Sequence, residues 1–205
     1  MQVNINTKQV KAVLQFAAKG DIRYYLNGVY LETGPLGARL VATDGHIMGV
    51  LKIEGEFEES SIIIPRQALD LIKAQARGDS GITFEYDAGN LGDVPRQVLI
   101  MHGESKQVVK EVSGKFPDYR RVIPVKASGE LAHFNPELLM RCAKAASLMG
   151  YRMFDGVAYN GKGASFSRAG ELVMAIMPWH CEPDMTTPDW IQSPLVKPTK
   201  EKKCA

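Results

Sequence analysis

Asp44 and His46 stand two positions apart and offer a carboxylate and an imidazole that could bind a metal ion. A catalytic metal takes about three protein ligands, and the remaining histidines, His102, His133 and His180, are far away along the chain. No Gly-rich phosphate loop and no nucleophile elbow accompanies the pair. The sequence therefore disfavours an enzyme, and Asp44-Gly45 is more typical of a turn between two strands.

The three cysteines, Cys142, Cys181 and Cys204, are odd in number and widely separated. This spacing fits neither a disulfide framework nor a metal site, so we predict free thiols and no metal or other cofactor.

The composition is that of a globular protein, with 205 residues, 45% apolar and 23% charged, and it allows one or two domains. No apolar run reaches the roughly 18 residues of a membrane helix, and the first residues lack the pattern of a secretion signal. We therefore expect a cytoplasmic protein without a membrane partner. The net charge of +2 is small for a protein that binds DNA through phosphates, so the distribution of the basic residues matters more than their number.

Three segments of the chain share one plan: a short strand, a helix that begins near Asn or Pro, and then strands rich in Tyr, Val and Ile. The predicted helices cover residues 7–18, 65–77 and 136–149, and a glycine follows each of them. The predicted strands lie within residues 2–5, 24–31, 39–53, 61–64, 82–86, 98–102, 108–112, 130–134, 156–159, 164–167 and 172–177.

Each unit is longer than most solenoid repeats and is large enough to be half a domain. We predict a complete domain over residues 1–125, a half domain over residues 126–181, and a flexible tail rich in Pro, Thr and Lys over residues 182–205. The half domain would leave an apolar face open, and a partner subunit is expected to cover it.

Basic residues recur on all three predicted helices, opposite an apolar stripe. Lys and Arg usually only solvate an outer helix face, but the threefold recurrence favours a functional surface. The candidate DNA-binding residues are Lys8, Lys11, Lys19, Arg66, Lys73, Arg77, Arg141, Lys144 and Arg152.

Three ordered phrases carry a family resemblance. Residues 21–28 are Asp-Ile-Arg-Tyr-Tyr-Leu-Asn-Gly, residues 42–46 are Ala-Thr-Asp-Gly-His, and residues 115–124 are Lys-Phe-Pro-Asp-Tyr-Arg-Arg-Val-Ile-Pro. Together they resemble the middle domain of the bacterial DNA polymerase III beta sliding clamp family. Only the opening helix and the closing strand of that family's last domain have counterparts here, and its first domain has none.

The resemblance implies an α+β DNA-clamp fold, in which β-α-β-β-β units repeat, helices line a ring and antiparallel sheets lie outside. It also implies a non-enzymatic processivity factor that encircles duplex DNA without sequence preference, tethers a DNA polymerase and is opened by an ATP-using loader. Family rings place twelve helices around DNA. Because this chain carries three, the expected ring is a homotetramer, with a trimer as an alternative.

The resemblance further implies an apolar groove that binds short peptides of polymerases and loaders. The expected pocket residues are Leu26, Thr43, Gly45, His46, Ile47, Met48, Pro117, Arg121, Val122, Ala175, Ile176, Met177, Pro178 and Trp179. The chain departs from the family in two places: Ile47-Met48 replaces the usual Arg-Leu, and Trp179 replaces a smaller residue. Peptide preference is therefore expected to differ.

Other interpretations stay open. A shortened clamp relative could act without a ring, as a module that competes for clamp partners. Residues 192–196 loosely resemble the Gln-x-x-Leu-Phe pattern of clamp-binding peptides, so the tail is a candidate ligand of its own pocket. The shortened form is compatible with a bacterial, plasmid or phage origin.

Overall fold

A computed structural model describes residues 1–73, 81–89, 94–180 and 186–192. Within these ranges there are ten strands: β1 Gln2–Asn6, β2 Gly28–Gly34, β3 Gly37–Thr43, β4 Ile47–Ile53, β5 Ser60–Pro65, β6 Gly81–Tyr86, β7 Gln97–His102, β8 Ser105–Lys110, β9 Ser165–Ala169 and β10 Leu172–Ile176. The α-helices of the same ranges are α1 Thr7–Leu14, α2 Arg66–Asp70, α3 Pro136–Leu148 and α4 Asp189–Gln192, and short 3-10 helices cover Tyr24–Leu26 and Tyr119–Arg121. No helix in this part of the chain is long and apolar enough to cross a membrane.

Two antiparallel sheets are formed, one in the order β1-β6-β7-β8 and one in the order β5-β2-β3-β4-β10-β9. The first two units exchange their opening strands, since β1 pairs with β6 and β5 pairs with β2. Each unit is thus hydrogen-bonded to the other along a full strand, which holds the two together.

The third segment joins the first unit of the same chain. Strand β10 pairs with β4, with Ala175 opposite Met48, and helix α3 packs against α1. From the sequence, a partner subunit is expected to cover the open face of this segment, but the chain itself covers part of that face.

The strand predicted at residues 130–134 does not form. His133 accepts a single hydrogen bond from the Trp179 N–H (2.7 Å), and Glu130 accepts one from the Gly161 N–H (2.8 Å). Isolated bonds to two different segments do not make a ladder. The strand predicted at residues 156–159 is likewise reduced to one bridge between Ala158 and Phe166.

Helix α1 begins where its cap predicts, because the Asn6 side chain accepts a hydrogen bond from the Lys8 N–H. It ends at Leu14, before the predicted end at residue 18. Arg66 donates to the carbonyls of Leu14 (3.1 Å) and Ala17 (2.8 Å), so a guanidinium replaces the helical N–H donors there.

Helix α2 also ends early, at Asp70, and the Lys11 ammonium donates to the carbonyl of Leu69 at 2.6 Å. The rest of the predicted second helix lies largely outside the described residues. Helix α3 forms nearly as predicted, with Asn135 as its cap and Pro136 in its first turn.

The six-stranded sheet carries an apolar cluster on each face. The larger core includes Phe16, whose ring lies so close to Gly49 that an added Cβ would come within 2.2 Å of it. The smaller cluster lies on the opposite face and contains Leu26, Val41, Met48, Ile63, Phe116, Tyr119 and Ala175.

Candidate functional site

Residues 112–123 cross the face of the six-stranded sheet that carries the smaller cluster, and are called here the crossing segment. The Val112 N–H donates to the Ile63 carbonyl at 2.9 Å, which ties the beginning of the crossing segment to β5. Further along, the Phe116 ring stacks on Tyr30 with centroids 4.7 Å apart and an interplanar angle of 4°. The segment is therefore attached to the sheet by a main-chain hydrogen bond and by the stacking of two aromatic rings.

Glu32 on β2 holds the end of the crossing segment. Its carboxylate accepts a hydrogen bond from the Tyr119 hydroxyl at 2.7 Å and two from Arg120 at 2.8 and 2.6 Å, and Arg39 lies 3.6 Å away. Burial, together with the hydrogen bond to Glu32, raises the pKa of Tyr119 to about 12. The phenol therefore stays protonated and remains a donor at neutral pH.

An apolar cavity of about 320 Å³ lies between the crossing segment, the loop before β2, the turn before β4 and the end of β10. Most of the expected pocket residues meet there: Leu26, Thr43, Gly45, His46, Ile47, Met48, Pro117, Val122, Ala175 and Met177. The cavity is also lined by residues that sequence reasoning missed, namely Arg23, Tyr25, Phe116 and Tyr119. All of these lie within the phrases at residues 21–28 and 115–124, so those phrases held the signal.

Four expected pocket residues are not among those that line the cavity. Ile176 is fully buried in the larger core, because Ala175 and Met177 face the cavity and side chains alternate along a strand. Trp179 lies beyond the end of β10 and is about half exposed. Arg121 is exposed on the crossing segment, and Pro178 is half-buried next to Trp179.

The turn at residues 43–47 forms one side of the cavity, and Asp44 organises it. One oxygen of its carboxylate accepts from the N–H groups of His46 (2.8 Å) and Ile47 (3.0 Å). Gly45 has a φ of 94°, a left-handed conformation that favours glycine. Asp44-Gly45 is thus a turn between β3 and β4, as its sequence indicates.

Asp44 also pairs with Arg141 of α3 through its second carboxylate oxygen. Burial by itself raises the pKa of Asp44, but the hydrogen bonds from Arg141 and from the backbone outweigh that effect and leave the pKa below its ordinary value. The carboxylate is therefore ionised, and the turn is bound to a helix of the third segment.

The candidate DNA-binding residues fall into two groups. Lys8, Lys19, Lys73, Lys144 and Arg152 are exposed. Lys11, Arg66 and Arg141 are half-buried and donate to main-chain carbonyls at helix ends. Burial also lowers the pKa of Lys11. Arg77 lies outside the described residues.

A larger open concavity, of about 1340 Å³, lies over the same sheet face. Its charged residues are of both signs and include the ion-paired Glu32, Arg39, Arg96 and Glu111. These paired charges offer no evident recognition of a ligand, so the smaller apolar cavity is the stronger candidate site.

In the described ranges no three His, Cys, Asp or Glu side chains are grouped closely enough to hold a metal ion. Cys142 is buried, which raises the pKa of its thiol to about 12. Cys181 and Cys204 lie outside the described residues.

Comparison with known families gives a match for residues 3–118, which fit the family model described as "DNA polymerase III beta subunit, central domain". The chain belongs to the DNA polymerase III beta subunit family. The resemblance seen in the sequence phrases is thereby confirmed.

Curated beta subunits support this. The beta sliding clamp of Vibrio cholerae is 32% identical over 167 residues, covering 78% of this chain and 43% of that protein. The beta sliding clamp of Escherichia coli K12 is 32% identical over 154 residues, covering 73% of this chain and 40% of that protein. The chain therefore spans less than half the length of these relatives.

Solved beta subunits share the fold. The structure from Borrelia burgdorferi, in complex with a natural product, has a TM-score of 0.68 at 16% identity and covers 89% of this chain and 65% of its own. The structure from Thermotoga maritima has a TM-score of 0.64 at 18% identity, and the match covers 89% of this chain and 66% of that one. The predicted α+β clamp fold with antiparallel sheets is confirmed.

Proposed function

We propose that this chain is a sliding clamp of DNA replication, which encircles duplex DNA as a ring of identical copies and tethers a DNA polymerase through the apolar cavity. It works in the cytoplasm, catalyses no reaction of its own and is opened by a loader. The observation that carries this proposal is the cavity itself, which is assembled from the three family phrases and the closing strand β10.

The chemistry of the cavity suits a short peptide with large apolar side chains. Its walls include Leu26, Ile47, Met48 and Met177, and methionine adapts readily to different partners. Burying one Leu or Phe side chain contributes about 1.5–3 kcal/mol. Arg23 and His46 add polar groups that can orient the peptide.

A peptide-binding measurement tests this directly. The probe is a fluorescein-labelled peptide, Gln-Ala-Ser-Leu-Phe, with the scrambled peptide as a control, and fluorescence polarisation gives the affinity. Val122→Asp places a charge in the cavity wall, whereas Val125→Asp changes an exposed valine outside the cavity lining. We expect binding to be lost only in Val122→Asp. Equal affinity of the two variants would contradict the proposal.

For DNA, we propose that the exposed basic residues Lys8, Lys19, Lys73, Lys144 and Arg152 contact phosphates, with Arg77 as a further candidate. Phosphates look alike at every position of a duplex, so such contacts hold the ring on DNA without fixing its position. Lys11, Arg66 and Arg141 are not included in this set, because each is half-buried and donates to a main-chain carbonyl within the fold.

For assembly, we propose a head-to-tail homotetramer. Closed rings of identical copies need such repeated contacts, and β8 forms an outer edge of the four-stranded sheet where another strand can pair. Four copies of 22.6 kDa amount to about 90 kDa, and α1, α2 and α3 of each copy would supply the twelve helices of a family ring. Native mass spectrometry at micromolar concentration measures this mass, and retention on circular but not linear DNA tests encirclement.

A second candidate function is a regulatory module without a ring, which competes for clamp partners. The observation that favours it is that residues of a single chain line the cavity, so peptide binding needs no second copy. A monomer of 22.6 kDa that still binds the peptide would support this module and contradict the ring.

A further inference from the structure

We propose that Arg141 positions the turn at residues 43–47 for peptide binding, so that helix α3 determines the shape of the cavity, and that Arg141 makes no contact with DNA. The inference rests on the proposed peptide-binding function of the cavity. It changes the role of a residue that the sequence placed on the DNA-binding surface.

Arg141 joins three elements. Its Nε donates to the carbonyl of Gln15, just after α1, at 2.8 Å. Its Nη1 donates to Asp44 Oδ2 in the turn. The side chain is 28% exposed and that of Asp44 is 19% exposed, so water screens the pair only partly. Arg141 itself lies on α3, and it therefore connects α1, α3 and the turn.

Asp44 transmits this contact to the cavity. While Oδ2 binds Arg141, Oδ1 accepts the N–H groups of His46 and Ile47. Both residues line the cavity, as does Gly45 between them and Asp44. Fixing one carboxylate oxygen on α3 thus fixes the other oxygen, and with it the backbone that faces the peptide.

Arginine suits this task better than lysine. Its planar guanidinium presents several N–H donors in a fixed arrangement, so one side chain can hold the Gln15 carbonyl and the Asp44 carboxylate together. A lysine ammonium could neutralise Asp44 but would not orient it in the same way. A binding wall that is held in place before the peptide arrives loses less entropy on binding.

The same contacts argue against DNA binding by Arg141. Its charge is balanced by Asp44, and its Nε and Nη1 donate to Gln15 and Asp44 within the fold. Lys144, one turn further along α3, is exposed instead. Removal of Arg141 should therefore weaken peptide binding, and removal of Lys144 should weaken DNA binding.

The experiment is a double-mutant cycle with the labelled Gln-Ala-Ser-Leu-Phe peptide as the probe. We expect Arg141→Gln and Asp44→Asn each to lower peptide affinity about five- to tenfold, and the double variant to lose no more than either one, because both remove the same contact. Arg141→Lys should recover part of the affinity. Lys162→Gln removes an exposed charge outside the cavity and should leave peptide affinity unchanged.

Two further readouts separate positioning from a general loss of fold. Amide NMR signals of Gly45 and His46 should shift in folded Arg141→Gln without peptide, while those of β6 and β7 stay in place. DNA affinity should fall in Lys144→Gln and remain at the wild-type value in Arg141→Gln.

The outcomes are distinguishable. If the wild-type protein does not bind the peptide, the proposed function of the cavity is wrong. If it binds and Arg141→Gln binds equally well, or if the losses in the double variant add, the positioning role of Arg141 is wrong while the peptide site stands. A loss of DNA affinity in Arg141→Gln equal to that in Lys144→Gln would return Arg141 to the DNA surface.

Discussion

At the scale of single residues, this chain uses several of its basic side chains inside the fold. Arg96 is the most enclosed of the ion-paired arginines in the described residues: its side chain is 12% exposed, and it pairs with Glu111 at 2.8 Å. Arg96 also donates to the Ser60 hydroxyl at 3.2 Å and lies over the Tyr86 ring. The pair therefore connects the end of the four-stranded sheet to β5 of the other sheet.

We predict that Glu111→Gln lowers the free energy of unfolding by about 3 kcal/mol, because it leaves the Arg96 charge buried without its counterion. Glu54→Gln is the matched control, since it breaks the exposed Lys52–Glu54 pair and should cost about 0–1 kcal/mol. Urea unfolding of both variants gives the comparison. Equal midpoint shifts would mean that burial does not determine the strength of these pairs.

Asp44 makes stability depend on pH. Its pKa in the folded protein lies below the ordinary value of 3.8, so its stabilising contribution is present above that value and is lost as pH falls through the folded pKa. Hydrogen bonds from Arg23 similarly lower the pKa of Asp21, whose side chain is 20% exposed, to about 2. We expect Asp44→Asn to be less stable than wild type at neutral pH and to lose less stability on acidification. Parallel pH profiles in urea titrations would contradict this.

At the scale of elements, the crossing segment is a wall of the cavity that depends on one carboxylate. Glu32→Gln removes the charge that holds Tyr119 and Arg120, so we predict faster trypsin cleavage after Arg120 and Arg121 and weaker binding of the labelled peptide. Glu54→Gln again removes an exposed carboxylate elsewhere and should change neither rate nor affinity. Unchanged cleavage in Glu32→Gln would show that the Val112–Ile63 hydrogen bond and the Phe116–Tyr30 stack are enough to hold the segment.

A second element contact joins the end of α1 to β4. An added Cβ at Gly49 would overlap the buried Phe16 ring, so we predict that Gly49→Ala lowers the free energy of unfolding by about 1–3 kcal/mol through overpacking. Gly156→Ala is the control, because a Cβ there meets no atom within 4 Å. Thermal or urea unfolding that ranks the two variants equally would show that the Phe16 ring moves aside freely.

At the scale of the whole molecule, the exposed lysines of α1 and α3 should act together on DNA, since the two helices pack against each other. We predict that Lys8→Glu with Lys144→Glu weakens duplex binding and makes it less sensitive to salt. In a plot of the logarithm of the binding constant against the logarithm of the salt concentration, the slope should become shallower by about 0.9 for each phosphate that is no longer neutralised. Lys126→Glu with Lys162→Glu makes the same charge change in residues outside the helices. Equal weakening of DNA binding by both pairs would mean that only net charge matters.

Much of the site follows from short stretches of sequence. Asp44-Gly45 indicates a turn, and Asn135-Pro136 indicates the start of α3, because caps and turns depend on side chains within a few residues of the backbone they bind. The family phrases also named most residues of the cavity, together with the α+β clamp fold.

Only the tertiary structure decided which residues, distant in sequence, come into contact. No local pattern shows that β10 adds to β4, that residues 130–134 remain without a ladder, or that Arg141 binds Asp44 rather than solvent. The reason is physical. A turn or a cap is satisfied by its own neighbours in the sequence, whereas a strand edge or a long basic side chain takes whichever partner the packing of remote segments brings within reach.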